Sequence, residues 1–421
     1  PTAAFSIVAV LRSFYTFAGT RGLNWRQFSV DYNTNNISLT LGDYETKLTP
    51  YTFWSYNPTP SYPFESFLES IQRTVQLREQ GLYDHNWTLR GIKASFEKGP
   101  LVVDVFGAPT LGKTSIANGQ FITALKSDLS IGNLDFGLTR VSLFDDKLSN
   151  EPQKGSVSNN VLSLIAKYNA KFSGQGISLG LESAFSSFQE SKDAAIVKAN
   201  AISGSLETSI FNFKLINNPK DFYSLSAQRI GMPNNLHEFY TMGGDSSILE
   251  PEAFTFGQAT PNRKGWVLSS NFITEGFLRG QYIFSLARAS ENEASDSLTG
   301  LKKYKTWNFG FLRKVKAIPV FKYPAKVGMG AKVIESQATN ITNKITHTTY
   351  GVNLTIEPKQ NFSVLMAYSQ DKNKDDVSEN KVKAGVQYHL GGPFSIISWY
   401  TKITSGNRKA ELVDFQLDYE F

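Results

Sequence analysis

A chain of 421 residues without a single cysteine is long enough for several soluble domains or for one large barrel, and it has neither a disulfide framework nor a thiolate metal site. Its 13% aromatic content excludes the aromatic-poor composition of a disordered chain. With a mean hydropathy of −0.26 it holds no unbroken apolar run of the roughly 18 residues that a membrane-spanning helix needs, which leaves spanning strands open. The net charge of +6 raises nucleic acid as a partner, but the lysines and arginines are dispersed and no nucleic-acid module is present, so no nucleic acid is expected.

In chain order, the opening segment 5–17 is strand-like, and a Gly-containing turn follows at 18–23. Phe28, Val30 and Tyr32 then alternate with polar residues, as do Ile37, Leu39 and Leu41 beyond Asn33–Asn36, which predicts a hairpin. A long loop is predicted at 44–85. Inside it Phe64, Phe67, Leu68, Ile71 and Val75 recur at helical spacing, with Glu65 and Glu69 early, Arg73 and Arg78 late and Gly81 as the stop. That predicts one short amphipathic helix at about 64–80. Period-2 alternation resumes with Ile92, Ala94 and Phe96 and continues through a turn at 97–100, a connection at 109–119 and a tight turn at 131–133. Its cleanest run is Leu162, Leu164, Ala166, Tyr168, Ala170 and Phe172.

The stretch 195–230 admits two or three strands. Two, 195–206 and 210–229 with a bulge near Asn217–Pro219, keep the next long loop, 230–264, on the same side as the other long loops. Further strands follow through Trp266–Phe272, Tyr282–Leu286, Trp307–Phe311, Val327–Val333 and the segments 342–357, 361–370, 379–390 and 393–404. The count is about 20, within 18–22. Short connections and longer ones, among them 146–160, 290–302 and 371–379, alternate, which predicts an all-β fold: a single transmembrane antiparallel up-and-down β-barrel over 1–421.

The last strand is Lys409-Ala-Glu-Leu-Val-Asp-Phe-Gln-Leu-Asp-Tyr-Glu-Phe421. Phe415, Leu417, Tyr419 and Phe421 alternate with Gln416, Asp418 and Glu420, and the last of them is an aromatic carboxy-terminal residue. This resembles the closing strand of Gram-negative outer-membrane β-barrels, porin-like proteins included. The resemblance implies a bacterial outer-membrane location, with outer-membrane lipid around the barrel and the barrel-assembly machinery reading the terminal strand. It also implies an export signal, so a chain that begins at Pro1 without one is expected to be processed or trimmed. An even strand number places both ends on the periplasmic side and the long loops outside. Gly42-Asp43-Tyr44, with Leu89-Arg90-Gly91 on the next strand, resembles a pattern in large outer-membrane barrels of unassigned role.

If the apolar register faces lipid, the opposite register faces the lumen. It carries Lys93, Lys126, Lys167, Lys171, Lys198, Lys214, Arg279, Lys326, Lys332, Lys381 and Lys383 against Asp31, Asp104, Asp128 and Asp135. Such a surplus of cations predicts a water-filled pore biased towards anionic solutes. The competing expectation is that these lysines pair with lumenal carboxylates and select nothing.

Gly107-Ala-Pro-Thr-Leu-Gly-Lys-Thr114 matches the phosphate-cradling pattern, but the mechanism needs a helix after it, and Ser115-Ile-Ala-Asn-Gly119 is a poor one. An external loop is the better expectation. His85, His237, His347 and His389 lie far apart, none at metal-ligand spacing. No cofactor, metal site or enzyme activity is expected. The expected function is passive diffusion of small polar or anionic solutes through a porin-like channel. The alternative is a plugged barrel serving as a structural subunit of a larger outer-membrane assembly, docked to envelope proteins.

Overall fold

The computed structural model describes residues 4–15, 21–44, 48–53, 89–110, 120–145, 158–172, 174–189, 194–224, 253, 257–276, 279–294, 297–298, 300–315, 323–340, 344–359, 361–372, 378–391, 394–406 and 408–419. Twenty strands run through them. The first ten are β1 (Ala4–Tyr15), β2 (Arg21–Asn33), β3 (Ile37–Tyr44), β4 (Leu89–Lys98), β5 (Leu101–Thr110), β6 (Gln120–Ile131), β7 (Leu134–Asp145), β8 (Ser158–Phe172), β9 (Gln175–Gln189) and β10 (Val197–Thr208). The second ten are β11 (Phe211–Asn218), β12 (Arg263–Thr274), β13 (Gly280–Ser290), β14 (Lys302–Val315), β15 (Ala325–Ala338), β16 (Ile345–Lys359), β17 (Phe362–Lys372), β18 (Ser378–Gly391), β19 (Phe394–Ser405) and β20 (Arg408–Tyr419).

Each strand pairs antiparallel with the next, from β1–β2 to β19–β20. This is the up-and-down order of a transmembrane β-barrel, in which neighbouring strands supply each other's backbone hydrogen-bond partners. Among the described residues the helical content is a single 3-10 turn, Gly257–Ala259. The expected helix at 64–80 lies outside the described residues.

Connections at one end are mostly tight: 34–36, 99–100, 132–133, 173–174, 209–210, 360–361 and 392–393. At the other end lie 45–88, 111–119, 146–157, 219–262 and 291–301. The connections 275–279 on the tight side and 16–20 and 373–377 on the other are of equal length, and 316–324 on the tight side and 406–407 on the other reverse the pattern. With twenty strands both chain ends fall at the tight-turn end. The pair of strands expected within 195–230 is present, but β11 stops at Asn218, well short of the expected end at 229. Pro219 has no N–H to give the ladder, and the Asn218 side chain turns its amide to the carbonyls of Gln258 and Thr260 at 2.6 and 2.7 Å.

The faces separate cleanly. Ile92, Val105, Leu125, Phe136, Leu138, Leu164, Leu181, Ile202, Leu215, Phe309, Met329, Val352, Met366, Val382 and Val386 are exposed, while the residues between them turn inward. An exposed apolar register around a barrel is what lipid requires.

Where β3 parts from β2 while still paired with β4, Gly42 has φ +108, a conformation that favours glycine, and any side chain there would run into the Phe28 carbonyl oxygen. The β2–β3 ladder stops at Ser29–Gly42, and the Asp43 carboxylate accepts the next N–H, from Phe28, at 2.8 Å.

Candidate functional site: the lumen

The inward register is unusual for an open pore because much of it is buried and apolar in the half next to the long connections. Phe106, Ile122, Val141, Val161, Ala184 and Ala201 are all buried there, where an empty lumen would leave them facing water. Part of the cover comes from chain segments folded inward. Phe53 packs with Tyr44, Phe106, Ile122 and Val141 against the wall of β3 and β5–β7. Tyr51 and Phe222, fully buried, pack edge to face at 5.4 Å and sit with Ala259 on Val161, Ala184 and Ala201 of β8–β10. Ala253 sits on Ala287, Ala289 and Tyr304 of β13 and β14.

Hydrogen bonds fix these segments to the wall. Tyr51 Oη donates to Asn218 Oδ1 at 2.9 Å, and Ser224 Oγ donates to the Tyr51 carbonyl at 2.6 Å. Asn159 of β8 gives its Nδ2 to the Tyr223 carbonyl at 2.9 Å. The centre is Glu182 of β9, whose carboxylate accepts from Ser163 Oγ at 2.7 Å and from Gln258 Nε2 at 3.0 Å. Gln258 also contacts Ser203 Oγ. Buried polar groups are tolerated because they are paired in this way. Burial, and secondarily the charge of Glu182, holds the Tyr51 phenol above its ordinary pKa of 10.0, so it remains a donor at neutral pH. Outside the barrel wall, hydrogen bonding to Glu293 2.5 Å away raises the Lys220 ammonium.

Nine of the eleven expected lumenal cations fall on the inward register: Lys93, Lys126, Lys167, Lys171, Lys214, Lys326, Lys332, Lys381 and Lys383. Several are neutralised locally: Lys126 pairs with Asp128 at 2.6 Å, Lys326 with Glu357 at 2.5 Å and Lys381 with Glu379 at 2.6 Å. Lys332 and Lys383 are buried, at 9% and 5% exposure. Lys93, Lys167, Lys171 and Lys214 make no ion pair among the described residues, although the Lys214 charge acts on the Glu182 carboxylate. Of these, Lys167 lies beside Gly180, and Lys171 is exposed at the tight-turn end.

Two expectations are corrected. Lys198 alternates with buried Ala201 and shares its register with exposed Ile202, so it faces outward. Arg279 belongs to the turn before β13, its N–H bonded to the Gly276 carbonyl, and so sits on the rim. The expected lumenal acids do turn inward: Asp31 accepts from Thr40 at 2.6 Å, Asp135 from Asn169 at 2.7 Å and Asp104 from Ser95.

The closing-strand residues Phe415, Leu417 and Tyr419 stand in β20 opposite Ser398, Ile396 and Phe394, and Phe421 lies outside the described residues. Gly107–Thr110 belong to β5, paired with β6, so the first half of the phosphate-loop match is wall rather than cradle. His347 pairs with Asp371, His389 N donates to the Asn361 carbonyl, and His85 and His237 lie outside the described residues. No group of three metal-ligating side chains occurs among the described residues.

No family model matches the chain, and no curated protein matches it. Among solved structures it is similar to the "Copper transporter OprC", with a TM-score of 0.50 at 9% identity, covering 99% of this chain and 72% of that one. The fold they share is a large antiparallel up-and-down β-barrel, with twenty strands here. It also overlaps the "P pilus usher (PapC) translocation pore" at a TM-score of 0.37 and 9% identity, covering 100% and 89% of the two chains, an overlap too loose to carry register or function.

Proposed function

We propose that this chain is an outer-membrane channel for passive passage of small polar solutes, anionic ones preferred, with its aperture narrowed by its own inward-folded segments. The observation that carries this reading is the inward placement of nine lysines spread over β4, β6, β8, β11, β15 and β18, four of them without an ion-pair partner among the described residues. Unpaired cations lining a lumen bias the solutes that pass. In this reading the long connections face outside, both ends are periplasmic, outer-membrane lipid surrounds the barrel and the assembly machinery reads the terminal strand. The chain carries solute rather than transforming it.

Single-channel recording in planar bilayers under a KCl gradient tests the proposal. A reversal potential of the sign for chloride preference supports it, and cation selectivity overturns it. The buried inner wall favours a second reading, a plugged barrel acting as a structural subunit beside envelope proteins. A folded, inserted protein that never passes current supports that reading instead.

A further inference from the structure

The outward face of β12–β14 changes character in ordered rows. Starting at the tight-turn end, cross-strand neighbours are Phe272–Tyr282–Phe311, then Ser270–Phe284–Phe309, then Leu268–Leu286–Trp307. Phe272 and Tyr282 stack at 5.3 Å and Tyr282 meets Phe311 at 4.9 Å. The next row is Trp266–Arg288–Lys305, and the one beyond it Lys264–Ser290–Lys303. An apolar band therefore ends at a tryptophan level, and immediately past it stand four cations in two rows.

That arrangement is costly unless something anionic meets it. Arg288 and Lys305 are direct cross-strand partners, and like charges opposite each other destabilise a sheet. Rows on one face of a strand lie about 7 Å apart and adjacent strands about 5 Å, so all four charges fall within reach of one polyanionic group. Glu335, opposite Lys305, is already engaged by Lys344 at 2.5 Å. Lys264, Arg288, Lys303 and Lys305 form no ion pair among the described residues; Lys305 instead lies 3.9 Å over the Trp307 ring. Tryptophan marks the membrane–water interface, which places these cations at headgroup depth, where phosphates concentrate.

We propose that Lys264, Arg288, Lys303 and Lys305, with Trp266 beside Arg288 and Trp307 in the row below, form a binding site on the outer wall for a phosphorylated lipid headgroup. The arginine fork and the ammonium groups grip phosphate oxygens, while the indoles and the apolar rows hold the acyl chains. The site uses the fold alone and does not depend on the channel reading.

The test uses the full chain folded in a neutral detergent and titrated with a bis-phosphorylated glucosamine lipid, following the unfolding midpoint and tryptophan emission. Phosphatidylcholine and inorganic phosphate serve as separate arms. The expected result is a concentration-dependent rise in midpoint with the phosphorylated lipid alone, weakened by salt. The lipid concentration for half effect should rise tenfold or more in a variant combining K264Q, R288Q, K303Q and K305Q. Where that variant fails to fold by heat-modifiable gel mobility, R288Q with K305Q is expected to show the same loss, and K303R with K305R to bind as the parent does. An undiminished shift in the glutamine variants overturns the site. Equal stabilisation by zwitterionic phosphatidylcholine overturns recognition of a net anionic headgroup, and equal stabilisation by inorganic phosphate overturns a lipid as the ligand.

Discussion

Tyr51 Oη donates a 2.9 Å hydrogen bond to Asn218 Oδ1 across 167 residues of sequence, joining a segment that follows β3 to the last residue of β11 inside the barrel. Because Asn218 also turns its amide to the Gln258 and Thr260 carbonyls, one side chain ties three separately contributed stretches together. Tyr51→Phe leaves the Asn218 oxygen buried without this donor, a loss of about 1–3 kcal/mol. Limited proteolysis should then cut within the 45–88 and 219–262 connections at least several-fold faster, while the strands stay resistant. Equal cutting rates would show that the bond does not hold the inner segment.

The same phenol gives the fold an alkaline weakness. Its pKa is raised by burial and by the nearby Glu182 charge, so above pH 10 the unfolded chain loses this proton while the folded one retains it. The folded state then binds more protons, and stability falls as pH rises. Unfolding midpoints taken from about pH 9 to about pH 11 should drop more steeply in the parent than in Tyr51→Phe, with the two curves converging at the alkaline end. Parallel curves would assign the alkaline loss to other groups.

The correction at Lys198 supplies a paired control for the channel. Lys167, Lys171 and Lys214 lie on the inward register and Lys198 on the outward one. Combining Lys167→Gln, Lys171→Gln and Lys214→Gln should shift the reversal potential towards cations. Lys198→Gln should leave it where it is, since a lipid-side charge is screened from the permeation path. A shift from Lys198→Gln equal to that of the triple variant would remove lumenal charge as the cause of selectivity.

Much of the barrel was legible because lipid demands a continuous apolar register, and Phe136, Leu138, Leu162 and Leu164 display it directly. Legibility fails where the inside is also apolar. In β10, Ala199 and Ala201 pack beneath Tyr51, Phe222 and Ala259, so both registers of 197–202 carry apolar residues and alternation assigns Lys198 to the wrong face. The inward segments themselves were not readable, because Tyr51, Phe53 and Phe222 follow no period and meet the wall only through tertiary packing. The β11 terminus was marked by Pro219, read as a bulge when it was the exit. The outward cations of β14, Lys303 and Lys305, stand in phase with Trp307 and Phe309 and are legible in the same alternation.

Gly42 closes the β2–β3 ladder under two independent constraints. Its φ of +108 is strained for any residue with a Cβ, and that Cβ would collide with the Phe28 carbonyl oxygen, a backbone atom with no freedom to swing aside. Relief would require β2 and β3 to part, which pulls the Asp43 carboxylate from the Phe28 N–H at 2.8 Å and shifts the Tyr44 hydroxyl, which donates to the Ile92 carbonyl at 3.3 Å. Gly42→Ala should therefore cost about 2–4 kcal/mol, combining backbone strain with a lost charge-assisted hydrogen bond. It should lower the temperature of heat-modifiable migration in gels. Gly99→Ala, in a turn with φ +59 and open space around it, should cost only about 1 kcal/mol. If the two variants melt together, steric contact with Phe28 contributes nothing and the strand exit is set by backbone conformation alone.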